Sequence, residues 1–115
     1  MRRRMAPAAA LFRQLLDAVV EAGASLGPGC VLQAHAVVRA GCDLGAGVLV
    51  ESFAVVGGSP QMRGGAAVSR RVRIGDRCVL REGATVHLPT RPDGVTRLGA
   101  ECMLMVNSHV GHDCE

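Results

Sequence analysis

The stretch from Val20 to Val56 reads V-EAGASL-GPGCVL-QAHAVV-RAGCDL-GAGVLV-ESFAVV. Its aliphatic residues Val20, Leu26, Leu32, Val38, Leu44, Val50 and Val56 recur every six positions. The comb resumes in the same phase at Ile74, Leu80 and Val86, and again at Leu98, Leu104 and Val110. An amphipathic helix spaces its apolar residues by three and four, and a half-buried strand spaces them by two. A sustained period of six fits neither. It fits a chain that turns a corner every six residues and sends one aliphatic side chain inward per side, the hexapeptide β-helix pattern.

The positions two residues before the aliphatics agree. They hold Ala24, Cys30, Ala36, Cys42, Val48 and Ala54, then Val72, Cys78 and Ala84, then Thr96, Cys102 and Ser108. All are small or β-branched, as the corners of a narrow prism demand. Glycine follows the aliphatic directly at Gly27, Gly45, Gly57, Gly75, Gly99 and Gly111. An ordinary valine-rich α/β domain would not hold one phase over such a distance.

The chain has 115 residues, enough for one domain. It lacks Trp and Tyr, and Phe occurs only at Phe12 and Phe53. That poverty suits stacked Val, Leu and Ile ladders and argues against a nucleic-acid binder that stacks bases on rings. The net charge of +3 is balanced by removing Arg2, Arg3 and Arg4, so the domain itself carries no basic signal. Cys30, Cys42, Cys78, Cys102 and Cys114 share one hexad position and are expected to be buried, unpaired corner residues. No C-x-x-C pair suggests zinc, and an odd number of free cysteines points to a reducing compartment, the cytoplasm. No segment reads as a stable membrane insertion.

Residues 1–18 lack the hexad. Leu11, Phe12, Leu15, Leu16, Val19 and Val20 have helical spacing, with Arg13, Gln14 and Asp17 opposite. This predicts a short amphipathic helix from about Pro7 to Ala18, placed to cap an open sheet edge. The basic start is compatible with a signal peptide, but Arg13 and Asp17 break its apolar region. The expected organisation is a basic helical extension over 1–18 and a β-helix domain over 19–115. Two loops interrupt the domain. One, near 57–71, is marked by Gly57-Gly58-Ser59-Pro60-Gln61 and Gly64-Gly65; the other, at 88–94, carries two prolines and Asp93-Gly94. The pattern stops in mid-repeat after Cys114 with no polar closing coil, which predicts a truncated domain.

The polar residues that stand out are Asn107, Ser108, His109, His112 and Asp113. A histidine beside a carboxylate is a general-base arrangement, because the carboxylate fixes the tautomer and stabilises the imidazolium. A surface or corner histidine is the bland alternative. His87, His109 and His112 can also be proposed as zinc ligands, although nothing in their spacing selects a set of three.

Three blocks carry a resemblance. The first is Phe53-Ala54-Val55-Val56-Gly57-Gly58-Ser59-Pro60-Gln61. The second is Ile74-Gly75-Asp76-Arg77, with Leu80-Arg81-Glu82 and Thr85-Val86-His87. The third is Gly94-Val95-Thr96-Arg97-Leu98-Gly99, with Leu104-Met105 and His109-Val110-Gly111-His112-Asp113-Cys114. From Val50 onward the chain resembles the acyl-[acyl-carrier-protein]–UDP-N-acetylglucosamine O-acyltransferases, hexapeptide-repeat enzymes of lipid A biosynthesis. Residues 20–50 match only as generic repeat.

The resemblance implies an all-β fold, a left-handed parallel β-helix, against the usual right-handed crossover. It also implies a homotrimer with sites between subunits. The implied partners are acyl carrier protein and UDP-N-acetylglucosamine, with no nucleic acid. No bound cofactor is implied, the acyl donor riding on the carrier's phosphopantetheine. His112 would be the general base for the sugar 3-hydroxyl and Asp113 would orient it. His87 and His109 would contact substrate, and Gln61 would open a substrate-binding loop. Met62 and Gly64 depart from the acidic residue and lysine usual after that glutamine. The family continues with further coils and a helical domain that supply the oxyanion hole, so this stretch alone is expected to be a poor catalyst. Another hexapeptide-repeat acyltransferase, a zinc hydratase and a non-catalytic trimer-forming remnant are the competing readings.

Overall fold

A computed structural model describes residues 13–63 and 71–115. Its strands, in chain order, are β1 (Arg13–Gln14), β2 (Val19–Val20), β3 (Ser25–Leu26), β4 (Val31–Leu32), β5 (Val37–Val38), β6 (Cys42–Leu44) and β7 (Leu49–Val50). They continue as β8 (Val55–Gly58), β9 (Arg71–Ile74), β10 (Val79–Leu80), β11 (Thr85–His87), β12 (Val95–Leu98), β13 (Met103–Leu104) and β14 (His109–Val110). Every third strand stacks on the last. One sheet runs β1-β4-β7-β10-β13, a second β2-β5-β8-β11-β14 and a third β3-β6-β9-β12. All pairings are parallel. The period of six is therefore one side of a three-sided prism.

Alternation along these short strands decides the core. The second residue of each pair points inward, and Val20, Leu32, Val38, Val50, Val56, Leu80 and Val86 are buried. The small corner residues are buried with them, from Ala18 and Ala24 to Cys78 and Ala84. Corners require left-handed backbone. Seven of them accept a non-glycine residue at φ near +60°: Asp17, His35, Phe53, Arg77, Glu101, Asn107 and Asp113.

Two expectations are corrected. The amphipathic helix does not exist where it can be checked: Arg13–Gln14 is a strand paired with Val31–Leu32, and Ala18 and Val20 are buried core. Gln14 stands six residues before Val20, so the hexad frame reaches further than its aliphatics reveal. The remainder of the expected helix lies outside the described residues. The cysteines also divide. All five are free, but only Cys30, Cys42 and Cys78 are buried, while Cys102 is half-buried and Cys114 exposed. The last two lie on the final coil, where nothing described stacks above them. Burial pushes the Cys42 thiol up to about 12.

The intervals between stacked strands lengthen by whole hexads. Val31 pairs with Leu49, 18 residues on, but Leu49 pairs with Val79 and Val79 with Met103. The first interval thus carries two extra hexads and the second carries one, which preserves the phase. Met62, on the comb by number, is exposed in the first loop.

Candidate active site

The site is built at the far end of the β8-β11-β14 sheet and the loop that follows β11. Gly57, at φ +93°, inserts one extra residue into β8, so that Val86 faces Val56 but His87 faces Gly58. Such a bulge re-aims the next side chain. Here it lays the His87 ring over Gly58, where an added Cβ would sit 3.0 Å from His87 Cδ2. His87 Nδ1 is buried and has no hydrogen-bond partner among the described residues. Burial, and then the charges of His109 and His112, hold the His87 pKa below the ordinary histidine value.

His109 is the outward residue of β14, in register with Thr85 of β11. Its Nδ1 lies 2.8 Å from Thr85 Oγ. Its ring meets His87 edge-on, with centroids 4.6 Å apart. His112 follows in the next corner, half-buried, with Nδ1 3.0 Å from Asp113 Oδ2. An ionised carboxylate only accepts, so Nδ1 carries the proton and Nε2 is the free basic atom. Asp113 also receives the Thr90 hydroxyl at 2.7 Å and the Thr90 amide at 3.2 Å. Its own N–H donates to Oγ of the buried Thr96 at 3.0 Å. The Thr90 hydroxyl first, and then His112, hold the Asp113 carboxyl down to about 2.

The structure thus brings His87, His109, His112 and Asp113 to one corner. Gln61 is exposed in the loop after β8 and no described contact ties it to the histidines. Among the described residues no three His, Cys, Asp or Glu side chains converge as metal ligands would. Sequence reasoning passed over Thr90 and Thr85. Thr96 did leave a signal, as a polar residue at a corner position otherwise held by Cys42 and Val72 in its sheet.

The chain can form, at this corner, a histidine base with a fixed tautomer beside two further imidazoles. No family model matches the chain. Over 21 residues, 18% of the chain, it is 71% identical to an acyl-[acyl-carrier-protein]–UDP-N-acetylglucosamine O-acyltransferase of Anaeromyxobacter sp. (strain Fw109-5), spanning 8% of that protein. It is similar in structure to LpxA of Acinetobacter baumannii, with TM-score 0.61 and 23% identity over 95% of this chain and 46% of that one. It is also similar to the UDP-N-acetylglucosamine acyltransferase of Campylobacter jejuni, with TM-score 0.51 and 29% identity over 96% and 47%. The Arabidopsis UDP-N-acetylglucosamine acyltransferase gives TM-score 0.59 and 18% identity over 98% and 48%. The chain spans under half the length of these solved structures. The fold is a left-handed parallel β-helix, and the resemblance to these acyltransferases runs through both sequence and structure.

Proposed function

We propose that this stretch carries the general base of an O-acyltransferase that moves a fatty acyl group from acyl carrier protein to the 3-hydroxyl of UDP-N-acetylglucosamine. The observation that carries the reading is the His112–Asp113 pair, 3.0 Å apart, which leaves Nε2 of His112 as the basic atom, near enough to His87 for the His112 charge to lower the His87 pKa. A sugar hydroxyl is a poor nucleophile near neutral pH. His112 Nε2 takes its proton as the oxygen attacks the thioester carbonyl of the phosphopantetheine arm. Asp113 stabilises the imidazolium that forms. Collapse of the tetrahedral intermediate breaks the C–S bond, and the imidazolium returns the proton to the departing thiolate. His87 and His109 contact substrate, His87 as a neutral ring, and Gln61 opens the loop that meets the nucleotide sugar.

The surface supports assembly as a homotrimer. The outward residues of the first sheet include Val31, Leu49, Val79 and Met103 in register, and those of the second include Val19, Val37 and Val55. The third sheet turns out Ser25, Asp43, Arg73 and Arg97 instead. Two mainly apolar stripes, bounded by Arg13 on the first sheet and by Thr85 and His109 on the second, and one polar face suit a subunit that buries two sides against its neighbours. Free thiols at all five cysteines support a cytoplasmic location. No helix among the described residues is long and apolar enough to cross a membrane.

The test is a chimera in which residues 13–115 replace the matching part of the Campylobacter jejuni acyltransferase. It should convert acyl-carrier-protein thioester and UDP-N-acetylglucosamine to the 3-O-ester, identified by mass spectrometry. A folded chimera that makes no ester, or that acylates only amines, overturns the reading.

A further inference from the structure

We infer that Thr90 is a positioning residue of this site: its hydroxyl and amide hold the Asp113 carboxylate in the orientation that receives His112 Nδ1–H, so the β11–β12 loop sets the tautomer of the base. The inference rests on His112 being that base. His112 and Asp113 are adjacent in the chain, and both are partly open to water. An unassisted ion pair between such groups is worth little, because water competes for each partner. Here the carboxylate has two further donors on one residue. The Thr90 hydroxyl reaches Oδ2 at 2.7 Å, and Oδ2 is the same oxygen that lies 3.0 Å from His112 Nδ1. The Thr90 amide spans Oδ1 and Oδ2 at 3.2 Å each.

The backbone is pinned as well as the side chain. Asp113 N–H donates to Thr96 Oγ, so both ends of Asp113 are tied to the segment running from the loop into β12. Gly94 leaves the room for this approach. A Cβ there would sit 3.1 Å from Asp113 Oδ1 and 2.9 Å from Pro89 Cβ. The loop is also what the prism itself does not need. It adds one hexad to an interval that pairs without it in the earlier coils, and its visible product at this corner is the Thr90 clamp. Hydrogen bonding to the charged form accounts for the low Asp113 pKa, with Thr90 as the largest contributor.

The test reads the histidine ring directly, in the 115-residue chain labelled with nitrogen-15. Above the histidine titration range, His112 should be found with Nδ1 protonated and Nε2 bare. Thr90→Val should lower the ratio of Nδ1–H to Nε2–H by about tenfold, the equivalent of one hydrogen bond to a charged group. Thr90→Ser keeps the hydroxyl and should restore the native ratio. If Thr90→Val loses the native amide spectrum, Thr90→Ala makes the same deletion without the added methyl. A folded Thr90→Val or Thr90→Ala chain with an unchanged ratio overturns the inference, and so does failure of Thr90→Ser to restore it. Failure of the base assignment looks different: the native chain keeps the Nδ1–H tautomer, while ester formation by the chimera ignores His112→Ala.

Discussion

His112 and Asp113 form a dipeptide whose chemistry depends on what surrounds it, and the surroundings make a signed prediction about acid. The Asp113 pKa is lowered from 3.8 to about 2 in the folded chain, so between those values the unfolded chain binds more protons. The stability that Asp113 contributes is fully present above about pH 4 and is lost as pH falls through 2. The His87 pKa is also lowered, from 6.5, so the folded chain resists taking up that proton and stability declines as pH drops below 6.5. Both act in the same direction in separate windows. Urea midpoints measured against pH should fall in two stages on acidification. Asp113→Asn should shrink the lower stage, to which Glu82 also contributes, and His87→Gln should remove the upper. A midpoint flat from pH 7 to pH 4 in the native chain would contradict the His87 assignment, and one flat from pH 4 to pH 2 the Asp113 assignment.

At the scale of single elements, the bulge in β8 links packing to the site. A positive φ does not by itself demand glycine in this fold, since seven corners hold non-glycine residues at φ near +60°, but Gly57 stands at +93° inside a strand. Space demands glycine there too: a Cβ on Gly57 would collide with Cys42 Sγ and approach Arg39 Cβ to 3.0 Å. Gly29, also at positive φ, would place its Cβ no closer than 3.8 Å to any neighbour. Both changes place an alanine in left-handed backbone, at about 1–2 kcal/mol each, so Gly29→Ala should cost about that much and Gly57→Ala, with the clash added, about 3 kcal/mol or more. Equal losses in chemical denaturation would show that the bulge is not sterically enforced.

The same element shows what a sequence can and cannot disclose. The comb located the buried valines and leucines, because a repeat is a local signal, but the glycines that marked a break at Gly57-Gly58 belong to β8 and are buried there. The histidines were legible as an unusual cluster at the end of the comb. Thr90 was not, because its partner Asp113 lies 23 positions away and only the winding of a full coil brings them together. Over 13–18, the described part of the helix expected at Pro7–Ala18, strand and turn stand in its place for a related reason. Leu15, Leu16, Val19 and Val20 mimic helical spacing, yet Ala18 and Val20 belong to the hexad frame that buries them. Cys102 and Cys114 share the frame of the buried cysteines, but a frame does not say which coil has a neighbour above it.

For the molecule as a whole, the proposed trimer makes a mass prediction. Purified chain should sediment at about three times its 11.9 kDa mass. Leu49→Asp, on the outward stripe, should shift that species toward monomer because a charge buried in an apolar interface goes unpaired. Arg73→Asp, on the polar third face, should leave the mass unchanged. A native chain that stays monomeric at high concentration would remove the apolar faces as interfaces. The acyltransfer reading concerns the assembled site and is tested most directly by turnover. In the chimera with the Campylobacter jejuni acyltransferase, His112→Ala should lower the rate of 3-O-ester formation by roughly 100-fold or more, the usual worth of a general base. Ester formation that proceeds at the parent rate without the His112 imidazole would contradict it.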